Sequence, residues 1–163
     1  MTLLADDPAT SPGYSPVSSA GQSATALPQS RPNGPLTLTI QLEPTPGWMY
    51  AVEARLNELL TLGPGWDTYG AQAIEPSHVV DAVRLLVQLV PRNAPVPWIV
   101  PTAGRGVQLE WQKDDIDVEA RVDDNGAHIF VMDAAGEDEG DPARRPDLCA
   151  RATRAITIAA ALA

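Results

Sequence analysis

The sequence predicts an α+β fold: an antiparallel meander of four to five short strands with two helices packed on one face, a disordered N-terminal tail and a separate C-terminal helix. Three observations carry this expectation. Apolar residues recur at helical spacing in two segments between residues 48 and 90. The period then switches to two between residues 98 and 133, and short polar turns interrupt the alternation there. The chain has 163 residues, room for one domain plus tails, and its 16 prolines and 12 glycines cluster, so the ordered part is expected to be shorter than the chain. The expected division is a disordered tail over 1–35, an α+β domain over 36–133, an acidic linker over 134–142 and a C-terminal helix over 143–163.

Residues 1–35 are rich in Pro, Ser, Ala, Gly and Thr and carry almost no periodic apolar pattern, so they bury too little to offset their ordering entropy. From Pro35 the character changes. Leu36, Leu38, Ile40 and Leu42 alternate with Thr37, Thr39 and Gln41, a strand pattern that Pro44 and Pro46 stop. A helix over about Trp48 to Leu62 places Trp48, Val52, Leu56, Leu59 and Leu60 on one stripe, and Gly63-Pro64-Gly65 ends it. The loop from Trp66 to Glu75 carries Trp66, Tyr69 and Ile74, more apolar surface than a linker would expose. Pro76 suits the first position of a second helix with the stripe Val79, Val83, Leu86 and Val90, which Pro91 closes.

Four strands are expected over Trp98–Pro101, Val107–Gln112, Ile116–Val122 and Ala127–Asp133. Asp114-Asp115 and Asn125-Gly126 are the expected hairpin turns, the second because a type I′ turn needs positive φ at both central positions. AAGEDEGDP, from Ala134 to Pro142, reads as a linker by composition. Leu148, Ala152, Ala155, Ile156, Ala159 and Leu162 then return at helical spacing, with the docking of this helix left open.

Composition excludes several functions. Net charge is -10, from 21 acidic against 11 basic residues, which opposes direct nucleic-acid binding and suits a basic protein partner. The lone Cys149 forms no intrachain disulfide, the start lacks a basic n-region, and no apolar run is long enough to span a membrane. A cytoplasmic location is therefore expected. Ten of the basic residues are Arg and Ala is abundant, a pattern of GC-rich bacterial coding. His78, His128 and Cys149 show no zinc spacing, and no phosphate-binding Gly-rich loop, nucleophile elbow or calcium loop is present, so neither a cofactor nor a metal is expected.

The loop GPGWDTYGAQAIEP and the segment VPTAGRGVQLEW together resemble a family of small bacterial proteins. That family has a GWDxYGA loop, a helix, a VPTxxGGVQLEW segment and a hairpin with a D-G turn. The match covers roughly Leu56 to Asp133, and Arg105 stands where the family tends to have Gly. The resemblance implies an architecture and carries no activity.

Two surfaces emerge. In the first, Trp66, Asp67 and Tyr69 of the loop, with His78 near the start of the second helix, would line a pocket of a small-molecule-binding or enzymatic domain. The structural alternative has Trp66 plugging the core and Asp67 accepting backbone N–H groups. In the second, alternation sends Val107, Leu109, Trp111, Val118, Ala120, Val122, Ile129 and Val131 inward. It sends Glu110, Glu119, Arg121, Phe130 and Met132 outward, with Ile99 beside them. Through the Asp114-Asp115 turn Glu110 opposes Glu119, an unfavourable pair unless Arg121, a metal or a basic partner relieves it. Through the Asn125-Gly126 turn Arg121 opposes Phe130, Glu119 opposes Met132 and Asp123 opposes His128. The preferred function is a non-enzymatic interaction module, antitoxin- or immunity-like, binding a protein partner through this face or the C-terminal helix. Homo-oligomerisation is compatible with it. No residue is assigned a catalytic role.

Overall fold

Period-two alternation from Trp98 onward builds a five-stranded antiparallel meander whose strands pair in chain order. The computed structural model describes residues 25–29 and 36–161. Within them run β1 (Thr25–Gln29), β2 (Thr37–Gln41), α1 (Met49–Leu59), α2 (Pro76–Leu89), β3 (Trp98–Pro101), β4 (Val107–Lys113), β5 (Ile116–Asp123), β6 (Gly126–Asp133), β7 (Gly136–Gly140) and α3 (Pro146–Ala161). The fold is α+β, as expected.

Every residue assigned to the inner face is buried: Val107, Leu109, Trp111, Val118, Ala120, Val122, Ile129 and Val131. They form one core with Leu56 of α1, Val83 and Leu86 of α2, and Leu148 and Ile156 of α3. All three helices therefore cover the same side of the sheet, and no described residue packs over the other side as a helix or strand. Ile99 corrects the expectation. It lies opposite Leu109 and is 4% exposed, because Trp98 rather than Ile99 shares parity with Glu110.

The strand around Leu38 does not join the meander. It pairs with Thr25–Gln29, a segment inside the expected disordered head; residues 1–24 and 30–35 lie outside the described residues. Side chains of α1 replace a neighbouring strand on its other edge. Glu53 accepts from the Ile40 N–H at 2.7 Å, and Asn57 accepts from the Leu38 N–H at 2.7 Å while donating to the Leu38 carbonyl at 2.9 Å. The ladder is satisfied locally, so nothing draws β2 into the sheet.

The segment expected to be an acidic linker contains the fifth strand. The two hairpins that bracket β6 share one device. Asp123 accepts from the N–H of Asn125 at 2.8 Å, and Asp133 does the same for Ala135 at 2.8 Å. In each case a glycine follows at positive φ, Gly126 at 94° and Gly136 at 99°. Asn125 has no positive φ, so the turn is Asp124-Asn125 and not Asn125-Gly126. This shifts the β5–β6 register by two residues from the one expected. Glu119 opposes Phe130, Arg121 opposes His128 and Asp123 opposes Gly126. The Asp114-Asp115 turn stands as expected, with Lys113 opposite Ile116.

Strand β7 is tolerable despite its charge because alternation splits its acids between environments. Glu137 and Glu139 are exposed, while Asp138 meets Arg145, the residue just before α3, at 2.8 Å and Arg151 of α3 at 3.8 Å. Arg151 also binds Asp133 at 2.6 Å and donates to the Gly136 carbonyl. These arginines hold the Asp133 and Asp138 carboxyls below the ordinary aspartate range. The helix expected to be separate is thus docked. Leu148, Ala152, Ala155, Ile156 and Ala159 are buried, and Cys149 is buried with them, its thiol pushed up chiefly by burial.

Candidate functional site

The GWDTYG loop is built around Asp67. Its Oδ1 accepts from the N–H groups of Tyr69 and Ala71, both at 2.9 Å, and the Ala71 bond leads in holding its pKa below the usual value. The Gly65 N–H bonds the Ala71 carbonyl at 2.6 Å and the Trp66 indole N–H bonds the Gln72 carbonyl at 3.1 Å, closing the loop on itself. Trp66 is half-buried over this loop and does not plug the core. Tyr69 is 95% exposed at the tip. His78 points elsewhere, its Nδ1 lying 3.1 Å from the Arg105 carbonyl and its Nε2 3.9 Å from Asp124. The Asp67 carboxylate is thus occupied by its own backbone, and among the described residues the His78 side chain makes no hydrogen bond to Trp66, Asp67 or Tyr69.

Arg105 explains its own surroundings. It takes φ of 63°, a left-handed conformation that glycine adopts freely and other residues seldom do. Its guanidinium pairs with Glu75 and its carbonyl receives the Glu75 N–H at 2.7 Å, so the β3–β4 turn is latched to the start of α2. Next to it, Gly106 passes so near β5 that an added Cβ would stand 1.8 Å from the Val122 carbonyl oxygen.

The open sheet face brings the other candidates together. Register places Trp98, Glu110, Glu119, Phe130 and Glu139 in one row across all five strands. Asp117, Met132 and Glu137 form the row to one side, and Gln108, Arg121 and His128 the row to the other. Glu110, Glu119, Arg121, Phe130 and Met132 are all partly exposed, and Trp98 is 74% exposed. The opposed glutamates are relieved by a residue the sequence argument missed. The Gln108 amide N–H donates to Glu110 Oε1 at 2.9 Å and to Glu119 Oε2 at 3.1 Å. Its position on the same strand face two residues from Glu110 was the signal available. Relief is incomplete. Partial burial, then Asp117 and Glu110, push the Glu119 carboxyl above the ordinary glutamate range, against the opposing pull of Arg121. Arg121 turns towards Asp123, its Nε 3.3 Å from Oδ2 without a hydrogen bond, which leaves that donor buried and without a partner among the described residues.

A cavity of about 400 Å³ opens at the β3–β4 end of the sheet, lined by Trp98 and Glu110 from this face and by Trp111 and Ala159 of α3 from the helix-covered side. Among the described residues no group of His, Cys, Asp and Glu has an arrangement suited to a metal ion, and no helix is long and apolar enough to cross a membrane.

Comparison with known proteins found no matching family model, no matching curated protein and no matching solved structure. The functional reading therefore rests on this chain's own geometry.

Proposed function

We propose that this protein is a non-enzymatic interaction module that binds a basic protein partner through the open face of its sheet. The observation that carries the reading is the row Trp98–Glu110–Glu119–Phe130–Glu139, in which aromatic and carboxylate groups share an uncovered surface. Aromatic anchors ringed by charge are the composition of a binding surface rather than of a solvated sheet face. The acids Glu110, Asp117, Glu119, Glu137 and Glu139 outnumber Arg121 and His128 there, so the complementary surface is rich in Lys or Arg.

The chain's own segments do not supply that complement. Outside the described residues the chain holds a single basic residue, Arg31, against at least five acids on this face, and α3 is committed to the opposite face. A second copy would set carboxylate against carboxylate. A foreign basic chain is the occupant that relieves Glu119, and an antitoxin- or immunity-like role, masking a basic surface in the cytoplasm, fits it. The resemblance in the GWDTYG loop adds no activity to this reading.

The test is affinity capture from the native host, followed by calorimetric titration of the purified captured protein against wild type, Glu119→Arg and Phe130→Ala. Each variant is expected to weaken binding by about tenfold or more, roughly 1.4 kcal/mol, with the Glu119 effect larger at low salt. Unchanged affinity in both variants, with their folds intact, would refute the reading.

A further inference from the structure

The meander has a ragged end. Strand β4 runs to Lys113, but its pairing with β3 stops at Glu110, opposite Trp98. Pro97 precedes Trp98 and has no N–H to continue the ladder. Lys113 and Ile116 close the β4–β5 hairpin, so the alternation of an antiparallel ladder turns the Gln112 backbone N–H and carbonyl away from β5, towards this unfilled edge. The 400 Å³ cavity lies there, lined by Pro95, Val96, Trp98, Glu110, Gln112 and Lys113 among others. Its wall is braced, since the Trp111 indole N–H donates to the Pro95 carbonyl at 3.2 Å. Its volume falls in the range of ligand pockets, about 300–1,000 Å³.

Three recognition elements therefore meet at one place: an open strand edge, an exposed indole and a carboxylate directly across the ladder from it. An extended chain entering the edge would hydrogen-bond through its backbone. A flat cation between Trp98 and Glu110 would gain both the ring's negative face and a charge-assisted, two-point bond. Guanidinium fits that geometry better than ammonium, because it stacks and forks in one plane. We infer that this cleft is the anchor subsite for an arginine side chain carried on an extended segment of the basic partner. The inference rests on the reading given under Proposed function and deepens it.

Lys113 lines the same cavity and supplies an internal control on the sign of the charge recognised. If Glu110 is the recognition group, Lys113→Met removes a repulsive charge and tightens binding of a cation. If the cleft takes an anion, the same change weakens binding.

The experiment titrates the full isotope-labelled chain with acetyl-Val-Arg-Val-amide and with the citrulline peptide of the same shape, following the Trp98 indole N–H and the backbone N–H of Gln112 and Lys113. The arginine peptide is expected to shift these signals and to bind about tenfold more tightly than the citrulline peptide. Glu110→Gln is expected to abolish that preference, and Lys113→Met to strengthen arginine binding severalfold. Equal binding of the two peptides, absence of shifts, or weaker arginine binding in Lys113→Met would each overturn the inference. Because the titration needs no partner, the two readings fail separately. A silent peptide titration alongside loss of partner binding in Glu119→Arg removes the subsite alone. A bound arginine peptide with partner affinity unaffected by Glu119→Arg and Phe130→Ala keeps the subsite and removes the wider face.

Discussion

Shortening Ile156 to alanine distinguishes a docked α3 from a tethered one. Ile156 is 0% exposed and belongs to the same apolar core as the inner sheet residues and α2. Ile→Ala deletes three carbons from this site, worth about 2.4 kcal/mol of transfer free energy at ~0.8 kcal/mol each. The cavity left behind adds to this, giving an expected loss of about 3–4 kcal/mol, within the ~2–5 kcal/mol seen for such deletions. For a domain of this size the melting temperature should fall by roughly 10–15 °C. Ile158, two residues on and 46% exposed, is the control. Ile158→Ala gains the same helix propensity and loses only part of the burial lost at Ile156, so its effect should stay within about 1 kcal/mol. Urea unfolding followed by tryptophan fluorescence measures both, with an unchanged m-value showing that the two ends of the transition are the same. A loss below about 1 kcal/mol for Ile156→Ala would refute the docked helix, because a tethered helix contributes nothing to the domain's unfolding.

Three further outcomes follow from the same geometry. Burial and the neighbouring carboxylates raise the Glu119 pKa, so its charged form disfavours the fold at neutral pH; Glu119→Gln should stabilise slightly at pH 7, and the gain should fade as pH falls and the wild-type carboxyl protonates, read from melting curves across pH. Because Trp66 is only half-buried, Trp66→Ala should cost about 1–2 kcal/mol rather than the ~3–5 kcal/mol of a core tryptophan, and chemical denaturation giving the larger value would show that the indole does plug the core. Gly106→Ala must move the β3–β4 turn away from β5, since its Cβ would stand 1.8 Å from the Val122 carbonyl; a loss of at least about 3 kcal/mol is expected in the same assay, and a neutral result would contradict that close approach.

The face orientation of β4, β5 and β6 was legible because side-chain period two in a half-buried sheet leaves only one way to bury Val107, Leu109 and Trp111 together with Val118 and Val131. The opposition of Glu110 and Glu119, and with it much of the candidate face, follows from that parity and a two-residue turn. The β5–β6 register was not legible. Two turns share the same dipeptide neighbourhood, and the choice between them depends on whether Asn125 or only Gly126 takes positive φ, which the Asp123 carboxylate decides by capping Asn125. Trp98 was missed because a four-residue edge strand gives alternation too few positions to set its parity.

By itself the sequence determined the α+β class, the two central helices, the inward and outward faces of the central strands and the excess of acid. Those properties are local or nearly so: they depend on the spacing of apolar residues along one segment and on composition. Only the tertiary structure decided what became of the polar stretches. GEDEG reads as solvated chain until Arg145, just before α3, and Arg151 of α3 pair with Asp138, and TLTIQ reads as a strand of the meander until Glu53 and Asn57 of α1 occupy its edge. Asn57 reaches Leu38 across 19 residues, and even Arg145, seven residues from Asp138, meets it only because the chain turns back after Gly140, so spacing along the sequence does not show either pairing.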